Sequence, residues 1–277
     1  MNRFKHIYIY MLSDKVDYNS ILTYLTSMIN CNIESRGADA LYKYDLRDVA
    51  KMYARCKVND VFRETAYSNV LISEDDIEYE LSMLDGYLQP KPNTVYDGFC
   101  LQGIYSSMID VEESSLDNVH IIMTDRLIAT YSEEDMRYHL NTVVLGYPSV
   151  VSISGIVEAP AKPKEFYTLY YYYLSQGITI NVDELKSIFK DMILEHDDPR
   201  LTDIVKGYVM QAVFYSILND TPFCNEKRCI LYNAHWQDEV IGAQIRDGGG
   251  LCRKHREVLD EFNRLHNTAN SNSILTN

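Results

Sequence analysis

The sequence predicts an α/β fold, a mixed sheet with packed helices followed by a smaller C-terminal part tied by a metal ion. Three observations carry this. The chain opens strand–helix–strand, β-rich runs return between residues 118 and 157, and metal-capable side chains crowd into residues 224–255. At 277 residues and 46% hydrophobic composition, the chain can bury a sizeable core.

"HIYIYML" (6–12) is a short apolar, β-rich run and reads as a buried first strand. "DYNSILTYLTSMIN" (17–30) spaces Ile21, Leu22, Leu25 and Met28 as a helix face, and "CNIESRG" (31–37) returns as a strand. "DLRDVAKMYARC" (45–56) is a second helical pattern. The acidic, then proline-containing run "SEDDIEYELSMLDGYLQPKPNT" (73–94) reads as an exposed excursion with a solvated charged face. "YDGFCLQGIYSSMI" (96–109) resumes a helix and "NVHIIMTDRLIAT" (118–130) is one strand ending in polar residues. Residues 138–160 form two β-rich runs divided at Gly146-Tyr147-Pro148. Helices follow at 162–177, with Phe166, Leu169, Tyr170 and Tyr173 on one side, at 183–194 and at 201–220. The tyrosine stripe reads as core and rim packing. The expected organisation is an α/β portion over 1–200, a helical portion over 201–265 and a frayed tail over 266–277.

Forty acidic against 26 basic residues give a formal charge of −14, which repels phosphate backbones and anionic membranes, so nucleic acid and membrane partners are not expected. The apolar run after the N-terminus is too short for a signal-peptide core, and no stretch of ~18 apolar residues marks a span. The six cysteines are too few for a dense disulfide framework, so a cytoplasmic location with reduced thiols is expected.

Cys224 and Cys229 are separated by four residues, Cys252 and His255 by two, and 22 residues part the pairs. Two short-spaced pairs across a loop supply two edges of a tetrahedron, and three thiolates with one imidazole suit one structural zinc. Four protein ligands leave no open position for water. The plainer alternatives are ordinary thiols near a turn with a solvated His255, or a Cys224–Cys229 disulfide. Between the pairs, His235 and Glu239 stand at helical i, i+4 spacing, which helices carry routinely, and Trp236 reads as a core plug. "DGGG" (247–250) reads as a flexible turn and not a phosphate cradle.

A second group lies upstream. His120, Asp125 and Arg126 sit at and beyond the end of a strand, where open α/β sheets place ligand sites. Arg137, His139 and Tyr147 follow nearby. Together they are candidates for anion binding or acid–base chemistry, while Asp125 and Arg126 equally suit a turn cap and a salt bridge.

The segments "YDGF", "TDRL", "RYH", "GYPSVVSISG", "VEAPAKPKEFY", "DDPRLTDIVKGY", "QAVFY" and "CILYNAHWQDE", in order from about residue 96 to 255, resemble an archaeal family of uncharacterised proteins labelled metallopeptidases. The resemblance implies kinship with archaemetzincins, zinc peptidases of α/β fold. In these a His-Glu-x-x-His-x-x-Gly-x-x-His helix holds catalytic zinc, and a cysteine cluster just after it holds a structural zinc. It implies a metzincin-like sheet over 118–157, an active-site helix at 203–219, and a structural site at Cys224, Cys229, Cys252 and His255, the last standing where the family has a cysteine. Counted back from Cys224, the catalytic ligands fall at Val213, Ile217 and Phe223, none of which binds metal. No shift restores them, because residues 197–234 contain no histidine and the chain has no His-Glu-x-x-His. Catalytic zinc needs three ligands, a water and a base. The expected function is therefore a zinc-tied pseudoenzyme that binds a peptide or protein partner. The alternative is a hydrolase or transferase built on His120, Asp125, Arg126, Arg137 and His139.

Overall fold

The computed structural model describes residues 3–65, 71–86, 94–246 and 249–274, with side chains through residue 267. Two sheets are present. In the first, β1 (His6–Leu12), β2 (Asn32–Arg36), β4 (Asn118–Thr124) and β8 (Ser149–Ser152) run parallel, and β7 (Val143–Val144) is an antiparallel edge, in the order β2-β1-β4-β8-β7. The second places β5 (Leu127–Ser132) between parallel β3 (Val95–Asp97) and antiparallel β6 (Arg137–Asn141).

Strand alternation divides the core between the two faces of the first sheet. Ile7 and Ile9 of β1, with Val119, Ile121 and Met123 of β4, face α1 (Tyr18–Met28) and α8 (Leu201–Leu218). Tyr8, Tyr10 and Ile122 point the other way, toward α2 (Leu46–Arg55) and α4 (Gly98–Met108). Helix α8 is buried nearly all round, as expected of a helix that is apolar on every side. It stops at Asn219, whose left-handed backbone (φ 53°) donates its N–H to Tyr215 O. Residues on both sides of position 200 share one core: Phe262 of α10 (Arg253–Ile274) packs against Phe4 with ring centroids 4.8 Å apart and the rings tilted by 38°. Among the described residues no helix is long and apolar enough to cross a membrane.

Several expectations are corrected. The run 118–130 is two strands, because a turn at Asp125-Arg126 carries β5 out of the first sheet into the second. The helix expected over 96–109 begins as strand β3, and the second β-rich run after Pro148 ends at Ser152, where the Ser152 hydroxyl caps α5 (Ile153–Glu158) by accepting from Gly155 N. The helix at 183–194 is only α7 (Val182–Ile188). On α6 (Lys164–Ser175) Phe166 is buried with Leu185 and Ile193, while Tyr171 and Tyr172 stand exposed.

The acidic run forms α3 (Glu74–Leu84), and it is not solvated throughout: Glu80 is fully buried. Arg126 Nη2 donates to Glu80 Oε2 at 2.9 Å, Tyr96 Oη to Oε1 at 2.8 Å, and Lys57 Nζ stands 3.2 Å from Oε1. Residues 87–93 of that stretch lie outside the described residues, as do Asp247 and Gly248 of the glycine run. The expectation of uniformly reduced thiols also fails. Cys56, capping α2, is disulfide-bonded to Cys100 in the first turn of α4, closing a 44-residue separation.

Candidate metal centre and the adjoining cleft

A few residues past Asn219 comes Cys224, which pairs with Tyr232 through Cys224 N to Leu231 O (2.8 Å) and Asn233 N to Cys224 O (3.3 Å). A tight turn closes on Cys229, whose N–H donates to Glu226 O, and Ile230 N donates to Gly250 O. These bonds deliver Cys252 to the foot of α10, with His255 in its first turn. All four ligand atoms lie within 4.8 Å of one another. Sγ of Cys224 and Cys252 are 3.9 Å apart, Cys229 Sγ is 3.6 Å from His255 Nδ1, and Cys252 Sγ is 3.1 Å from it. With Zn–S near 2.3 Å and Zn–N near 2.0–2.1 Å, a tetrahedron has S–S edges of about 3.8 Å and S–N edges of about 3.5 Å. The cluster fits zinc with little movement. Backbone N–H groups of Glu226 and Cys252 already point at the sulfurs of Cys224 and Cys229. Burial pushes the Cys229 thiol up to about 12 and lowers His255. Three of the four are buried and Cys252 is partly so. A bound zinc would act as a cross-link here, with no ligand position left for substrate.

The metal loop also builds a cleft. Tyr232, Asn233, Ala234 and His235 line a cavity of about 190 Å³ whose other walls include residues 140–143 at the β6–β7 corner, Ala159 and Pro160, and Tyr208 and Gln211 of α8. The Gln211 Oε1 is buried without a hydrogen-bond partner. Tyr138 N donates to Val61 O at 2.8 Å, so by antiparallel alternation the N–H and C=O of Leu140, a residue that lines the cleft, also point away from β5. Gly207, one residue before Tyr208, is needed for close approach. A Cβ there would collide with the Gln244 amide, whose Nε2 donates to Ile230 O in the metal loop.

The positions that the resemblance sets against catalytic ligands lie as follows in the fold. Val213 and Ile217 are fully buried in the core, and α8 turns Tyr208 and Gln211 to the cleft; Phe223 does line it. Sequence reading missed both residues, although Gln211 stands out as the polar residue in "VMQAVFY".

The upstream candidates do not converge. His120 is buried between Tyr8 and Tyr10, its Nδ1 3.0 Å from Tyr10 Oη and its Nε2 3.3 Å from Glu113 O, with Tyr147 edge-on to its ring. Asp125 and Arg126 sit together at the strand ends, while β6 holds exposed Arg137, and His139 with its Nε2 2.7 Å from Asp135 Oδ2. His235 reaches the cleft from an exposed position before α9 (Gln237–Ile241), not from a helix face. Glu239 is its backbone's partner: Oε2 accepts from His235 N at 3.3 Å, and Oε1 faces Lys227 and Tyr232. Trp236 is half-buried under Lys164, not a core plug.

Burial, the largest cause, lowers the His120 pKa to about 4. The unfolded chain therefore binds a proton that the native state refuses between about pH 6.5 and 4, and stability falls as pH drops through that window by up to about 3 kcal/mol. His120→Gln should flatten this part of the urea-midpoint profile; an unchanged acid limb would assign it to other groups.

The model of the "Probable metallopeptidase family (DUF6775)" matches residues 1–262. The chain belongs to this family. A search of curated proteins finds no match. Among solved structures, a zinc-dependent peptidase from Methanocorpusculum labreanum (strain Z) is similar at 12% identity and a TM-score of 0.40, over 91% of this chain and 99% of that one. That likeness is loose, and the DUF6775 chain's metal centre and cleft rest on its own residues.

Proposed function

We propose that this family member is a zinc-clasped, non-catalytic binding protein that receives a peptide or an extended protein segment in the cleft beside α8. One observation carries the reading. The ligand set that fits zinc is closed, with four protein donors, whereas the described cleft lining offers one imidazole, His235, and no carboxylate. Catalytic zinc requires three ligands, a water and a base. The outward N–H and C=O of Leu140 suit strand addition, and the orphaned Gln211 oxygen suits a donor on the ligand. Three thiolates favour the reducing conditions of a cytoplasm, where the Cys56–Cys100 bond is the exception that needs separate protection.

The test pairs metal analysis with peptide-array binding on the purified chain. One zinc per chain, array hits that weaken when Leu140→Pro removes the outward N–H, and no chelator-sensitive cleavage of the hits support the reading. Two zincs with chelator-sensitive cleavage overturn it.

A further inference from the structure

The first sheet holds a second concave site, away from the cleft. Between β1 and β4 the parallel order turns: β1 leads through α1 to β2 on one side, whereas β4 leads through β5 and β6 of the second sheet to β7 and β8 on the other side. Adjacent parallel strands whose connections diverge leave a crevice at their C-terminal ends, where α/β sheets bind ligands. Here the crevice holds about 280 Å³, bounded by Ser13 and Asp14 after β1 and by Asp125 and Arg126 after β4. This lies just under the ~300–1,000 Å³ of drug-sized sites, which points to a small ligand.

Asp125 and Arg126 are neighbours of opposite charge, yet no ion pair joins them. Asp125 Oδ1 accepts from Ser13 Oγ at 2.6 Å, and Arg126 Nη2 is turned to Glu80, its guanidinium 3.9 Å above the Tyr53 ring. Among the described residues, Asp125 Oδ2 and Arg126 Nη1 have no bonded partner, and Arg126 Nε is buried without one. Their backbone is pinned as well: Ser154 Oγ donates to Asp125 O and Ser152 Oγ to Arg126 O. A carboxylate and a guanidinium, each fixed by its own partners, thus line one crevice. Met11, Leu12, Met83 and Leu84 supply an apolar wall beside them.

We propose that this crevice binds a free α-amino acid with an apolar side chain. Its ammonium would sit on Asp125, its carboxylate on Arg126 and its side chain against the methionine–leucine wall. The proposal is independent of what the cleft beside α8 receives.

Isothermal titration of the full chain with L-leucine and L-methionine tests it, with leucinamide lacking the carboxylate and isocaproate lacking the ammonium. Saturable binding of leucine is expected, at least tenfold tighter than either truncated ligand. Asp125→Asn should weaken leucine tenfold or more, and Leu84→Trp should abolish binding by filling the crevice without touching the charged pair. No heat from either amino acid at ~5 mM overturns the proposal, because a Kd above that is worth less than about 3 kcal/mol. So does leucinamide or isocaproate binding as tightly as leucine, or leucine binding unchanged by Leu84→Trp.

Discussion

Cys229→Ser is expected to lose the metal and to lower the melting temperature by about 10 °C or more. Cys229 is fully buried, lies 3.6 Å from His255 Nδ1, and receives the Cys252 N–H on its sulfur. Structural zinc contributes ~10–16 kcal/mol to small zinc folds, so forfeiting one of four ligands should remove several kcal/mol. For a chain of this size each kcal/mol shifts the midpoint by roughly 2–4 °C. The loss should be felt beyond the clasp, since Cys224 and Cys229 are bonded through Leu231 O and Tyr232 N to the segment that walls the cleft. Differential scanning calorimetry with elemental analysis checks this; a retained equivalent of zinc and an unshifted midpoint would refute the assignment.

The second large effect is expected at Glu80. Glu80→Gln leaves Arg126 and Lys57 gathered around a neutral amide, and breaking a buried pair from one side typically costs about 3–5 kcal/mol. Lys57 retains Asp76 at 3.2 Å, but buried Arg126 has no other acid among the described residues. The double variant Glu80→Leu/Arg126→Met should recover most of the loss, because no charge is then stranded. Urea unfolding of the four-member cycle measures the coupling. A Glu80→Gln cost under about 1 kcal/mol would show that solvent reaches the pair.

The parts legible in the sequence were those whose evidence is local. Residues 6–36 alternate and then repeat at helical spacing, so β1, α1 and β2 follow from periodicity. The metal quartet announces itself as two close pairs. What failed depends on partners far along the chain. Nothing in "SEDDIEYELSM" marks Glu80 as the one acid bound for the core, because its partner is 46 residues on. His120 reads as a strand-end candidate until β1 lays Tyr8 and Tyr10 against it. Asp125 and Arg126 were legible as a place, though their refusal to pair with each other was not.

The bond from Tyr138 N to Val61 O has a consequence for selectivity. It occupies one rung of the outer edge of β6, and the Thr142 carbonyl is occupied by Ser152 N. Between them, among the described residues, the Leu140 backbone has no such partner, so a segment received as proposed would find room for a single rung and not a ladder. Backbone pairing, which treats all sequences alike, can then contribute only a small part of the affinity. On the proposed reading, discrimination would fall to the side chains around that rung, and the cleft would read particular residues rather than hold unfolded chain in general.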